Sequence, residues 1–174
     1  EESKPAPHGI VQALFFKKQK PVVEAAIDFN FTPRIPDNEL EVNIIIKNIS
    51  EYPAENISFL ITLNNIHEVL TDLENNPANT FNQISDTSFS MHDTCNQVLI
   101  NRMTLPVSFK IAHHYVPFMV SVLVWGKECS LYKNTFIWDP VNNTEIVGYK
   151  TGDNTILKYQ DLLDILEEMN RNAL

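Results

Sequence analysis

The side chains able to do chemistry are few and scattered. The histidines are His8, His67, His92, His113 and His114, and the cysteines are Cys95 and Cys129. Zinc chemistry needs deprotonated thiolates or imidazoles at fixed spacing, and no His-Glu-x-x-His or paired Cys-x-x-Cys occurs. On a strand, adjacent His113 and His114 would point to opposite faces, a poor arrangement for sharing a metal. His92-Asp93 followed by Cys95 has the outline of nucleophile chemistry. A thiolate, however, needs a positioned base and an electropositive setting, and this neighbourhood is acidic. Only four glycines are present, too few for phosphate-cradling loops, and no Gly-x-Ser-x-Gly occurs. Trp125, Trp138, Tyr132 and Tyr115 could stack on a carbohydrate if one exposed face carried them all. Strand aromatics more often serve the core. No catalytic residue, metal ligand or cofactor is assigned, and the chain is expected not to be an enzyme.

Charge narrows the partners. The formal net charge is −9 with a pI near 4.9, which opposes binding to a phosphate backbone, so nucleic acid is excluded as an expected partner. The basic knot of Lys17, Lys18 and Lys20 after Phe15-Phe16 could touch an acidic lipid surface or simply be solvated. No apolar run approaches the ~20 residues of a membrane helix. Sequons at Asn30, Asn48, Asn56 and Asn142 leave export open. The surroundings of Cys95 and Cys129 suit free thiols better than an inter-sheet staple. Whether the two cysteines pair stays unsettled, as does the compartment, with the cytoplasm, including a membrane-peripheral position, placed ahead of export.

Alternation dominates the body of the chain. Leu40, Val42, Ile44 and Ile46 recur at every second residue, and Ile57, Phe59, Ile61 and Leu63 repeat the pattern beyond a turn at Pro53. Each set shares one face of a half-buried strand. Residues 26–31 alternate Ile27, Phe29 and Phe31 with Asp28 and Asn30, and residues 33–38 read as a turn. Residues 64–79 carry Ile66, Val69, Leu70 and Leu73 at helical spacing, predicting a helical turn or two inside a long loop. Strands are expected near 81–84, 87–91, 96–105 and 107–111, the last two separated by Pro106. In residues 115–125, Val116, Phe118, Val120, Val122 and Val124 share one face while Met119, Leu123 and Trp125 share the other. Such a strand is central or covered on its outer side. Residues 131–138 would be its hairpin partner, and asparagine would supply left-handed turns that glycine usually makes.

The prediction is an all-β, immunoglobulin-like antiparallel β-sandwich of seven to eight strands over residues 21–150. A tail with a short element at residues 10–16 precedes it, within 1–20. Residues 151–174 hold a C-terminal amphipathic α-helix, with Asp153, Asn154 and Thr155 as capping side chains. Its apolar face carries Leu162, Leu163, Leu166 and Met169, and a helix of this length is marginal alone in water. That face must meet either its own sandwich or a partner, and these four residues are the candidate partner-binding set.

Residues 26–140 resemble the immunoglobulin-like sandwiches of adaptor appendage domains, of the gamma-adaptin ear type. The likeness is carried by the 40–49 strand ending in Asn48-Ile49-Ser50 and by Tyr52-Pro53 leading into the next strand. It continues in Gln97-Val98-Leu99-Ile100 and in Tyr115-x-x-Phe118-x-Val120-x-Val122, closing near Gly126. The resemblance implies an appendage domain in protein transport that binds acidic-hydrophobic peptides in a basic groove, and no matching basic positions are present here. Residues 162–167 are similar to a clathrin-type box with the acidic residue one place late. Extracytoplasmic immunoglobulin-like repeats share the Val-x-Val-x-x-x-Asn pattern ahead of a Pro-Ala turn. The expected function is a non-enzymatic protein–protein interaction module in a larger assembly or trafficking protein, a complex subunit binding by a strand edge, an apolar groove and the helix. The alternative is an extracytoplasmic structural, adhesion or secretion-system module. The oligomeric state is not specified by the sequence.

Overall fold

The computed structural model describes residues 19–30, 39–70, 80–112, 115–152 and 157–172. Ten strands and one helix follow in order: β1 (Val23–Asn30), β2 (Glu39–Asn48), β3 (Glu55–Asn64), β4 (Glu68–Leu70), β5 (Asn82–Ser85), β6 (Ser88–Cys95), β7 (Thr104–Ala112), β8 (Phe118–Lys127), β9 (Tyr132–Asp139), β10 (Thr144–Lys150) and α1 (Tyr159–Asn172). They build two antiparallel sheets, β1-β2-β7-β4 and β10-β9-β8-β3-β6-β5. The sheets face each other over one core, and this is the sandwich that alternation predicts, with ten strands among the described residues rather than seven or eight.

Period-2 patterning places the core. Leu40, Val42, Ile44 and Ile46 of β2 and Ile57, Ile61 and Leu63 of β3 are fully buried. Ile61 lies opposite Val122 and Leu63 opposite Val120 in the central pair β3–β8. At ~1.5–3 kcal/mol per buried aliphatic side chain, this stripe is the main source of stability. On the other face of β8 and β9, Met119 and Ile137 are also buried, because α1 lies over them with Leu162 and Leu166. The second apolar face of β8 thus marks a covered strand.

One buried polar side chain ties the end of the sandwich together. Asn48 is fully buried. Its Nδ2 donates to the carbonyls of Tyr52 and Leu99, both at 2.7 Å, while its Oδ1 accepts from the Ser50 amide at 2.9 Å and the Ser50 hydroxyl at 2.8 Å. The amide group is fully used, as burial demands.

Several expectations are corrected. Pro106 does not separate two strands but lies within β7, opposite Ile45. In that pairing the position of its missing N–H faces away from β2, on the flank where β4 spans only Lys110 to Ala112, so no ladder bond is lost. Residues 96–103 are a looped connection holding the isolated bridge between Ala54 and Leu99. Residues 68–70 are strand β4, not a helical turn, because they pair with β7. Strand β10 was not anticipated: a bulge between Glu145 and Val147 breaks its alternation. The helix begins at Tyr159, where the Asp161 carboxylate accepts from the Lys158 amide at 2.6 Å. Asn65 and Asn143 take left-handed backbone in loops, as do Arg102, Tyr115 and Glu128, while Asn56 does so at the irregularity within β3. The expectations for residues 10–16, 33–38, His113, His114 and residues 153–155 lie outside the described residues.

Candidate functional site

The site is a groove between the edge of β1 and the inner face of β10. Strand β1 packs over β8 and β9, so β10 extends past it and its inner face stands uncovered by the smaller sheet. A cavity of about 200 Å³ lies there, lined by Ile27, Asn134, Phe136, Trp138, Glu145 and Gly148 among others. Gly148 lets β9 and β10 pack closely at its rim: a Cβ on it would stand 2.7 Å from the Phe136 Cβ and 2.6 Å from the Glu145 Oε1. The same contact shows Glu145 folded over the groove.

The hydrogen-bond phase of β1 sets what the groove offers. The Ile49 amide donates to the Val22 carbonyl at 3.0 Å, in the register that pairs β1 with β2. Even-numbered residues of β1 therefore exchange bonds with β2, while the N–H and C=O groups of Val23, Ala25, Ile27 and Phe29 face the open side. Among the described residues no strand pairs with that side. The Ala25 carbonyl is taken by the Asn134 Nδ2 at 3.1 Å and the Tyr132 hydroxyl at 3.4 Å. The backbone groups of Ile27 and Phe29 remain presented along the groove.

Aromatic packing forms the adjoining wall. Phe29 stacks on Trp138, with ring centroids 4.4 Å apart and planes 26° apart, and meets Phe118 and Phe136 edge-on. Trp138 Nε1 is buried and has no hydrogen-bond partner among the described residues. An unmet buried donor costs about 1–3 kcal/mol. The site thus combines β1 backbone groups that no strand takes among the described residues with a mostly polar lining beside the Phe29–Trp138 stack. It can hold an extended chain.

The sequence-singled residues fall elsewhere. Leu162 and Leu166 are buried against Met119 and Ile137, and Leu163 and Met169 are half-buried in the same cluster. Of the two possible meetings for that face, the structure contains the one with its own sheet. Tyr159 anchors the helix by accepting from the Asn64 amide at 3.1 Å, with Lys133 Nζ 4.7 Å above its ring; burial lowers the Lys133 pKa. The four aromatics form no platform: Trp138 and Tyr132 pack on the inter-sheet core, whereas Trp125 stacks on His92 at 5.5 Å on the outer face. Cys95 and Cys129 are free, and burial pushes the Cys129 thiol pKa up, the reverse of nucleophile activation. No group of three metal-capable side chains occurs among the described residues, and no described helix is long and apolar enough to cross a membrane.

A second hollow of about 360 Å³ lies beside Pro21, Tyr52, Pro53 and Glu128. The Lys127–Glu55 ion pair at 3.0 Å borders it, and Tyr52 donates to Gln19 there. The hydrogen bond to Glu55 and that carboxylate's charge raise the Lys127 pKa. Both partners are exposed, so the pair adds little. Sequence reasoning missed the β1–β10 groove. Trp138 read as core, and the one available signal was the Asp28 and Glu24 charges on an otherwise apolar strand, a common mark of a sheet edge.

No family model matches the chain, and no curated protein matches it. Solved structures do resemble it at very low identity. One is that of AvmM, described as catalysing macrocyclization in alchivemycin A biosynthesis: 8% identity, TM-score 0.35, covering 78% of this chain and 92% of that one. Another is Northeast Structural Genomics Consortium target SoR45: 7% identity, TM-score 0.31, covering 79% of this chain and 91% of the other.

Proposed function

We propose that this chain is an immunoglobulin-like, non-enzymatic protein-interaction module of a larger assembly or trafficking protein, taking an extended segment of its partner along the β1 edge. The observation that carries the reading is the outer edge of β1, where among the described residues no strand pairs with the backbone groups of Ile27 and Phe29. Strand addition to a sheet edge uses such groups: backbone bonds give affinity and alternate side chains give selectivity. The immunoglobulin assignment is supported by strand order, since β1-β2-β7 and β9-β8-β3-β6 follow the A-B-E and G-F-C-C′ arrangement of that sandwich. The groove offers hydrogen-bonding groups from Asn134, Glu145, Tyr149 and Lys150 beside the Phe136 and Trp138 rings, which suits the backbone and side chains of an extended segment. The exposed acids Asp164, Glu167 and Glu168 of α1 leave the helix a polar surface for a second contact.

The test is selection of binders from a random short-peptide library, followed by replacement of Ile27 with proline. The Ile27 N–H faces the groove and not β2, so Ile27→Pro blocks the edge without cutting the β1–β2 ladder. Selected peptides should lose binding to this variant and should slow amide exchange at Ile27 and Phe29 in the unaltered protein. A library yielding no binders, or binders indifferent to the proline in a folded variant, would overturn the reading.

A further inference from the structure

We infer that the segment received at the β1 edge is basic, with lysine or arginine on its solvent side. The inference rests on the strand-addition reading above and adds the partner's chemistry.

The argument begins with where an added strand must lie. At the usual spacing of about 4.8 Å beyond β1 it would sit over β10, with alternate side chains pointing to opposite faces. Its inward side chains would meet a lining of Asn134, Glu145, Tyr149 and Lys150 beside Phe136, Trp138 and Gly148. That lining is mostly polar, so small or polar groups suit it as well as apolar ones.

Its outward side chains would lie beside the solvent face of β1. That face carries exposed Ala26 and Asp28 and the partly buried Glu24. Glu24 stands opposite Lys47 on β2, while Asp28 stands opposite uncharged Asn43. Across the groove, Glu145 lies over Gly148. Lys150, farther along the lining, is basic, so the acids outnumber it. Opposite charges on directly facing strand positions attract and like charges repel, which also disfavours β1 of a second copy. With Ala26 facing Ala26, Glu24 would meet the other copy's Asp28. The protein's overall charge of −9 draws in the same class of partner at long range.

Three synthetic peptides separate the outcomes: valine alternating with lysine, with threonine and with glutamate. The lysine peptide should bind about three- to tenfold tighter than the threonine peptide, the size expected for one or two exposed cross-strand pairs. The glutamate peptide should bind weakest. Asp28→Asn with Glu24→Gln should erase the lysine preference while keeping threonine-peptide affinity, and added salt should shrink it similarly. Equal binding of lysine and threonine peptides, both lost in Ile27→Pro, would overturn the charge inference and leave the edge site standing. Binding of any of them that is untouched by Ile27→Pro, or no binding at all, would overturn the edge site itself.

Discussion

Replacing Leu162 with alanine should open the C-terminal helix without opening the sandwich. Leu162 is fully buried and Leu166 is 4% exposed, both against Met119 and Ile137 on the outer face of β8 and β9. A buried leucine cut to alanine typically costs about 2–5 kcal/mol. The helix is held by this one cluster plus a few polar ties: Asn64 to Tyr159 and Asn65 to Asn170, each 3.1 Å. Those ties contribute about 0.5–1.5 kcal/mol apiece. A 14-residue helix is marginal by itself, so its opening should be a separate, lower-energy event than global unfolding. Native-state hydrogen exchange read residue by residue is the assay. Leu162→Ala should lower the opening free energy of α1 amides by about 3 kcal/mol while leaving the amides of β3 and β8 within a few tenths of their original protection. If β3 and β8 lose protection in step with α1, the helix belongs to the global unit and the reasoning fails. If α1 protection is unchanged, the leucine is not what holds it.

Asn48→Asp replaces two donated hydrogen bonds with a buried carboxylate facing the Tyr52 and Leu99 carbonyls, and should cost about 3–5 kcal/mol at neutral pH by denaturant titration. Burial raises the folded-state pKa of the introduced group, so the deficit should be smallest below about pH 4 and grow as pH rises. Burial opposes ionisation of Asp139, but hydrogen bonds from Asn142 and Val141 outweigh it and hold the pKa below its usual value. Its contribution to the β9–β10 turn should therefore be present above about pH 4 and fade as pH falls through the depressed value, read as faster exchange of the Asn142 amide. With its thiol pKa raised by burial, Cys129 should react with a maleimide more slowly than a free cysteine at pH 8, the gap closing as pH increases.

The strands with clean alternation were legible because one face of each is dry and the other wet: Leu40 to Ile46 on β2 and Ile57 to Leu63 on β3 leave no other reading. The outer cover of β8 was legible too, through Met119. Two strands, β4 and β10, and the continuity of β7 were hidden, for separate physical causes. Pro106 imitates a break, and only its pairing reveals that the missing donor faces an open flank. Ile66, Val69 and Leu70 happen to fit a helical period. In β10 the bulge at Glu145 shifts the alternation by one residue. The groove was hidden for a deeper reason. That β1 is an edge, and that odd-numbered residues face outward, depends on which strands lie beside it, a property no local pattern of Ile27, Phe29 or Trp138 encodes.

The nitrogen of Asn48 that a sugar would have to occupy already points into the protein at two carbonyls. In a compartment that attaches oligosaccharides to nascent chains, closure of the β2–β3 corner would race the transferase. Chains that lose the race could not seat that side chain, so a glycosylating host should yield two populations, one properly closed and one retained as misfolded. A bacterial host should yield a single one.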